Sequence, residues 1–180
     1  VGTVTEIYDY LRLLYARIGV PYCPKHHKPI SSQSVEEMVN DILSLPLNTK
    51  IRVLGPVVTL EKGTHKDLID SLRKDGYVRV VIDGIDYDLS EDITLEKNKK
   101  HTIEVIVDRL VIKEGVRSRL FESIETGTKL GSGKVVIDVI GKGKMLMSET
   151  YACPECDFSL PELQPRMFSF NAPWGACDEC

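Results

Sequence analysis

The sequence predicts an α+β fold: a mainly antiparallel sheet with packed helices, plus a small zinc-binding module. Three observations carry this prediction. Helical segments alternate with β-branched runs across residues 30–150, one such run contains the Asp-Gly pair typical of a hairpin turn, and residues 153–180 hold two Cys-x-x-Cys pairs. With 180 residues, 42% hydrophobic and 28% charged, the chain is long enough for one full hydrophobic core and a small satellite module.

The first element is a helix that starts near Thr3. Thr3 and Glu6 have the spacing of a capping box, and Gly19 supplies a stop signal. The apolar face of this helix either packs on the chain's own core or packs against a larger body, and the segment alone favours neither interpretation. Its members recur at helical spacing and are Ile7, Leu11, Leu14 and Ile18.

The next elements are a helix, a strand and a short helix. Ser34 and Glu37 form a second capping box, which predicts a helix that runs toward Pro46. The segment IRVLGPVV predicts a strand that bends, or lies at a sheet edge, at Gly55-Pro56, because proline cannot donate to the ladder. HKDLIDSLRKDG then predicts a short helix that stops at its final glycine.

Strands dominate the following part of the chain. In YVRVVIDGIDYDL, Asp83-Gly84 lies between β-branched runs and predicts a hairpin. HTIEVIVDRLVIK predicts a long strand, VRSRLFESIETGTKL a helix, and KVVIDVI and KMLMSETY two further strands. Helices mixed with antiparallel hairpins are typical of α+β domains.

The segment TKLGSGKVV is similar to a phosphate-binding loop but lacks its chemistry. Thr128 stands where the first glycine belongs, and Val135 stands where the magnesium-binding Ser or Thr belongs. The segment also follows a predicted helix and opens a predicted strand, the reverse of the order that a phosphate loop requires. We interpret it as a glycine-rich helix stop, and we expect no catalytic residue and no nucleotide site in this chain.

The strongest chemical signal is the spacing C-x2-C-x20-C-x2-C near the end of the sequence. Zn²⁺ prefers four tetrahedral sulfur or nitrogen ligands, and each Cys-x-x-Cys turn holds two sulfurs near the separation that this geometry requires. Four protein ligands leave no open position, so the predicted site is structural. Its predicted ligands are Cys153, Cys156, Cys177 and Cys180.

A second possible ligand pair lies in YCPKHHKP. Cys23 and His26 form a Cys-x-x-His pair, with His27 as an alternative nitrogen ligand. Either the four late cysteines share one zinc ion, or Cys23 and His26 join one of the late pairs while the other pair completes its shell elsewhere. A buried thiol beside a surface histidine is the third interpretation.

Composition and charge exclude several classes of protein. A formal charge of −4 argues against a surface that binds nucleic acid everywhere, although local lysine clusters leave a zinc-stabilised DNA-binding module as an alternative. No long apolar run and no basic-then-apolar leader is present, so we expect a cytoplasmic protein without a membrane segment. The clustered lysines are Lys97, Lys99, Lys100, Lys142 and Lys144.

Four strings of this sequence together resemble the UvrA family of bacterial nucleotide-excision-repair proteins: VGTVTEIYDYLRLLYARIG, YCPKHHKP, KKHTIEVIVDRL and ACPECDFSLPELQPRMFSFNAPWGACDEC. The resemblance runs through the whole chain and implies an internal piece of the first ATPase half. It implies that residues 1–22 are a helix of the ATPase domain and that residues 23–150 are the inserted domain that docks on UvrB. It also implies that residues 151–180 are a zinc module with four cysteine ligands, truncated at its end.

The resemblance also implies what belongs to the longer parent protein. The family is a dimeric ABC-type ATPase that surveys DNA for distortion and loads UvrB, so ATP and DNA would be bound by the parent. This chain has none of the Walker A, signature or Walker B motifs. We therefore expect a binding module without ATPase activity, which carries structural Zn²⁺.

Two arginines are the predicted contacts to the partner. Alternation in YVRVVID puts Arg79 on the strand face opposite Val80, and Arg109 interrupts an apolar register in IVDRLVIK. Arginine suits an interface because its fork pairs with carboxylates and tolerates partial desolvation. The alternative is an internal salt bridge, for instance to Asp83 or Asp108.

Overall fold

The computed structural model describes residues 6–153, 156, 158–160, 163–171 and 175–176. The chain divides into two compact units. The smaller unit combines Val1–Ser31 with Thr150–Cys180, and the larger unit is Ser32–Glu149. The larger unit is thus inserted in the sequence between the two parts of the smaller one.

The larger unit is a six-stranded antiparallel sheet with three helices, which confirms the predicted α+β class. The strands follow the order β3-β2-β4-β1-β5-β6 across the sheet, and every neighbouring pair is antiparallel. The strands are β1 Lys50–Lys62, β2 Arg79–Ile82, β3 Ile85–Asp88, β4 Lys100–Val111, β5 Lys134–Val139 and β6 Gly143–Ser148, and the helices are α2 Val35–Leu43, α3 Lys66–Lys74 and α4 Arg117–Leu130.

The three helices of this unit pack on one face of the sheet, where two apolar clusters form its core. Helices α2 and α4 bury residues such as Met38 and Leu120 against Ile51 and Ile137. Helix α3 packs its apolar side against strands β2 and β4. Each large aliphatic side chain buried in this way contributes about 1.5–3 kcal/mol relative to an exposed one.

Strand β1 continues through Gly55-Pro56 instead of ending there. The predicted bend takes the form of shifts in the β1–β4 register, one of which lies between Pro56 and Val58. Pairing of β1 with β5 ends at Leu54, and the end of α4 lies beyond that point. A Cβ atom at Gly55 would come within 2.8 Å of the Cβ of Leu130, so this close approach requires glycine.

Two predicted turns are confirmed. Asp83 and Gly84 join β2 to β3 with φ angles of 50° and 86°, the left-handed values that a tight hairpin turn requires. The glycine-rich segment does stop a helix: α4 ends, the Gly131 amide donates to the Gly127 carbonyl, and β5 begins three residues later.

The capping predictions had different outcomes. At Ser34 and Glu37 the reciprocal hydrogen bonds of a capping box are both present. At the first helix, α1 Ile7–Ile18, the prediction was wrong, because Glu6 is itself the N-cap, with a left-handed φ of 58° and no side-chain cap. Thr3 lies outside the described residues.

The smaller unit contains α1, a two-stranded hairpin and a short 3₁₀ helix, Pro165–Phe168. The hairpin pairs β7 Tyr151–Ala152 with β8 Ser159–Leu160. Tyr151 was predicted to end the preceding strand, but β6 stops at Ser148.

Helix α1 has no buried residue, so its apolar positions do not form the packed face that one interpretation of the sequence expected. Its contacts are instead aromatic: the ring of Tyr8 lies 5.0 Å from that of Phe170, and the ring of Tyr15 lies 5.9 Å from that of Phe168. The predicted face is 41–71% exposed at Ile7, Leu11, Leu14 and Ile18.

Among the described residues, no helix combines the length and the apolar character that a membrane crossing needs.

Candidate metal centre and docking surface

The first half of the candidate metal centre is a tight loop around Cys23 and His26. The Cys23 amide donates to the Lys28 carbonyl and the His27 amide donates to the Cys23 carbonyl, while Tyr22 and Pro29 form a β-bridge. These bonds close a short hairpin-like turn, which brings the Cys23 sulfur within 3.6 Å of the His26 Nδ1 atom.

The second half is the β7–β8 hairpin, which carries Cys153 and Cys156. The Cys153 amide donates to the Phe158 carbonyl at 2.9 Å, next to the pairing of β7 with β8. Cys23 and Cys153 are buried, and apolar side chains such as Ile30 and Phe158 pack around them. The site therefore combines polar ligand atoms with an apolar shell.

The ligand atoms of Cys23, His26, Cys153 and Cys156 all lie within 4.8 Å of one another. The two sulfurs of Cys23 and Cys156 are 3.7 Å apart, and the sulfur of Cys153 is 3.5 Å from the His26 Nδ1 atom. A zinc tetrahedron with its usual bond lengths places two sulfurs about 3.8 Å apart and a sulfur and a nitrogen slightly closer. Three thiols and one imidazole at these distances could hold a metal ion and are compatible with zinc.

The pKa values of the Cys23 and Cys156 thiols are also compatible with metal binding. Burial acts to raise the pKa of the Cys23 thiol, but hydrogen bonds from the amides of His26 and Lys25 and from the His26 side chain lower it to about 6. At Cys156 the Phe158 amide lowers the pKa of the thiol, whereas burial and the sulfurs of Cys153 and Cys23 raise it above its ordinary value. Crowded thiols that share protons in this way exchange them for a metal cation, because metal binding requires thiolates.

The structure thus brings together four of the six predicted ligands. Cys23 and His26 meet the Cys153/Cys156 pair, as one of the sequence alternatives proposed, and within the described residues His27 is not in the cluster. Cys177 and Cys180 lie outside the described residues, so their role as ligands stays a prediction.

The candidate docking surface is the sheet face of the larger unit on which none of its three helices packs. We call it the open face, and we define it by Arg52, Leu54, Val81, Arg109 and Asp138. Leu54 and Val81 are almost fully buried there, and charged side chains surround them. The Arg52 Nη1 atom donates to Asp86 at 2.8 Å and its Nε atom to Asp138 at 2.8 Å, while Lys144 pairs with Glu104.

Arg79 and Arg109 lie on adjacent strands, because β2 pairs with β4. Arg109 stands opposite Arg52, is half exposed, and has its Nη2 atom 3.9 Å from an Asp86 oxygen. Arg79 is exposed and stands opposite Asp88. The Ser90 hydroxyl and amide, together with the charge of Arg79, lower the pKa of Asp88.

The internal salt bridges suggested by the sequence are made by other groups. Asp83 accepts from His101 and from the Thr102 amide. Asp108 is held by the guanidinium of Arg119 at 2.7 Å, and from Arg109 it accepts only the backbone amide.

The other arginines of the larger unit all have close partners. Arg73 pairs with Asp70, Arg117 contacts Asn40 and Glu36, and Arg52 holds two carboxylates. Among the arginines of Ser32–Glu149, Arg79 and Arg109 therefore form the weakest ion pairs. Sequence reasoning missed Arg52, although its alternation with Ile51 and Val53 in IRVLG would have placed it on the same face.

Comparisons with known proteins show which family this chain belongs to. UvrABC system protein A of Bacillus subtilis (strain 168) is 59% identical over 180 residues, and that of Halalkalibacterium halodurans is 58% identical. The protein of the same name from Listeria monocytogenes serotype 4b is 55% identical. Each match covers 100% of this chain but 19% of the relative, so the chain spans about a fifth of their length. Residues 33–141 match the family model described as the UvrA interaction domain, and the chain belongs to this family.

Proposed function

We propose that this chain is the UvrB-docking and zinc-module part of a UvrA protein that acts in nucleotide excision repair. The family description names an interaction domain, and the relatives are components of a UvrABC system. The observation that carries the proposal is the position of Arg79 and Arg109. These two arginines form only weak ion pairs and lie on neighbouring strands of the sheet face that the unit's own helices leave uncovered.

This arrangement suits recognition of a protein partner. Each guanidinium can turn its fork toward a partner carboxylate without breaking a strong internal bond. The partly buried side chains of Ile106 and Leu146 on the open face add apolar surface beside these charges. Removing one member of a desolvated charge pair costs roughly 2–5 kcal/mol, and much less at an exposed rim.

The test measures binding of the 180-residue chain to purified Bacillus subtilis UvrB by calorimetry. Arg79→Ala and Arg109→Ala should each weaken binding at least tenfold, which corresponds to about 1.4 kcal/mol, without a marked fall in melting temperature. Arg117→Ala is the matched control, because Arg117 is 49% exposed, close to the 50% of Arg109, and lies on helix α4. A lower melting temperature with unchanged affinity would show that the two arginines are internal structural residues.

We also propose that the Cys23/His26/Cys153/Cys156 cluster holds a structural zinc ion. The donor set of three thiolates and one imidazole, its spacing and its apolar shell support this. Four protein ligands leave no position for a substrate or a reactive water. Cys177 and Cys180 would then complete their metal shell elsewhere.

The activities of the parent protein are part of the same proposal. ATP binding and hydrolysis, DNA binding and homodimer formation would belong to the remaining four-fifths of the relatives' length. Within this chain, direct DNA binding has less support than docking, because Lys144 is already paired with Glu104. A salt series separates the two, since contacts to several phosphates weaken steeply with salt and docking through a few partly buried pairs responds less.

A further inference from the structure

A cleft of roughly 330 Å³ opens at the end of β4 on the open face. Its wall consists of side chains from the adjacent strands β1 and β4, from Asp86 on β3, and from the turn after β5. Ile140, in that turn, is held by the hydrogen bond from its amide to the Lys50 carbonyl. The side chains that matter for the argument are Lys50, Arg52, Asp86, Arg109, Val111 and Ile140.

The charged side chains of the cleft differ in how closely they are paired. The Arg52 guanidinium is occupied by Asp86 and Asp138. Arg109 has only the 3.9 Å contact to Asp86, and Lys50 is exposed and has no ion pair with any described residue. Arg109 and Lys50 therefore line the cleft without a carboxylate at hydrogen-bonding distance from their charged groups.

The same cleft has an apolar wall. Val111 is 37% exposed and Ile140 is 51% exposed, although both are adjacent to buried strand positions. Apolar side chains in this position gain about 25 cal/mol for each Å² that a partner covers. A nucleic-acid backbone offers little apolar surface to cover them.

We infer that this cleft receives an acidic side chain of the protein partner together with an adjacent apolar side chain. The carboxylate binds between Arg109 and Lys50, and the apolar group packs on Val111 and Ile140. This inference rests on the proposed docking function and adds to it the chemistry of the partner segment, along with Lys50, Val111 and Ile140 as contact residues.

Two opposite substitutions at Ile140 test the inference with Bacillus subtilis UvrB as the probe. Ile140→Asp places a negative charge where the partner's carboxylate must approach, so binding should weaken at least tenfold. Ile140→Lys keeps an aliphatic stem and adds attraction, so binding should change less than threefold. Phe121→Asp and Phe121→Lys are the controls, because Phe121 is also 37% exposed but lies on α4 on the other face, and neither should alter binding. Melting curves check that each variant folds.

The outcomes separate this inference from the docking proposal. If Arg109→Ala weakens binding while Ile140→Asp binds like the unmodified chain, or while Ile140→Lys weakens binding as much as Ile140→Asp, the inference is wrong and the docking proposal stands. If the unmodified chain does not bind UvrB, both fail. Binding of a labelled DNA duplex that is lost in Arg109→Ala and strengthened in Ile140→Lys would assign the cleft to nucleic acid and would also overturn the inference.

Discussion

At the scale of single residues, hydrogen bonds at both ring nitrogens hold the buried imidazole of His101. Its side chain is 4% exposed, its Nδ1 atom lies 2.7 Å from Asp83 Oδ2, and its Nε2 atom lies 3.0 Å from the Glu96 carbonyl oxygen. Both ring nitrogens face acceptors, so the doubly protonated imidazolium satisfies both bonds. The ring joins the turn at Asp83-Gly84 to the loop before β4.

These contacts predict a pH dependence of stability. The Asp83 and Glu96 hydrogen bonds raise the pKa of His101 above 6.5, despite burial and the opposing charge of Lys99. A raised folded pKa stabilises the fold fully below about pH 6.5, and this contribution is lost as the pH rises through the folded value. The melting temperature should therefore fall as the pH rises above about 6.5, and the difference between the unmodified chain and His101→Gln should shrink over the same rise.

Asp83 supplies the control for this prediction. The Thr102 amide and His101 lower the pKa of Asp83 below 3.8, although burial opposes the shift. The contribution of Asp83 is thus present above about pH 3.8 and is lost as the pH falls. Asp83→Asn should remove most of the alkaline dependence attributed to His101. An unchanged slope in both variants would assign that dependence to other groups.

The second prediction at this scale concerns metal content. The cluster geometry predicts that Cys156→Ser and His26→Ala both lower the zinc content measured by mass spectrometry, because each removes one of four ligands. Cys177→Ser is the discriminating control. Retention of zinc in Cys177→Ser with loss in His26→Ala would support the Cys23/His26 set, and the reverse result would support four cysteines on one ion. Folded protein without any metal would contradict both ligand sets, Cys23/His26 with Cys153/Cys156 and the four cysteines.

At the scale of elements, the contact between α4 and β5 depends on a glycine within a helix. Gly127 is buried, and a Cβ atom added there would lie 2.7 Å from the Val135 Cγ2 atom. Glycine normally costs a helix about 1 kcal/mol relative to alanine. Here the helix tolerates it because the close approach allows α4 to pack directly on the sheet.

This contact predicts that Gly127→Ala destabilises the chain even though alanine favours helices. Overpacking typically costs about 1–3 kcal/mol, which exceeds the gain in helix propensity. Denaturant unfolding should show a net loss, and the additional change Val135→Ala should recover part of it by removing the clashing methyl group. A higher stability for Gly127→Ala alone would show that β5 moves away at little cost.

At the scale of the whole molecule, the two candidate sites lie in different units. The metal-ligand cluster lies in the unit formed by the two ends of the chain, and the open face lies in Ser32–Glu149. The glycine-rich segment between α4 and β5 leads to a prediction for activity. The chain should hydrolyse ATP no faster than background, because its one loop similar to a phosphate cradle lacks the first glycine and the magnesium-binding hydroxyl. Saturable nucleotide binding that depends on Lys134 would contradict this.

Much of the fold could be predicted from the sequence because its signals are local. The Ser34 capping box, the Asp83-Gly84 turn and the stop after α4 each depend on groups a few residues apart. The start of α1 was predicted wrongly because Glu6 is the N-cap of the helix and not its third residue. The role of Arg52 was missed because its partners, Asp86 and Asp138, are 34 and 86 residues away.

The sequence by itself determined the types of most elements, the candidate cysteine and histidine ligands, the incomplete phosphate-loop motif and the resemblance to UvrA. Periodicity, turn chemistry and ligand spacing are properties of short segments, so they can be read without a fold. Only the tertiary structure decided that Cys23 and His26 meet Cys153 and Cys156, and that Arg79 and Arg109 keep weaker partners than the other arginines of the larger unit. These facts depend on which distant groups approach within hydrogen-bonding distance, and chain topology, not local preference, sets those distances.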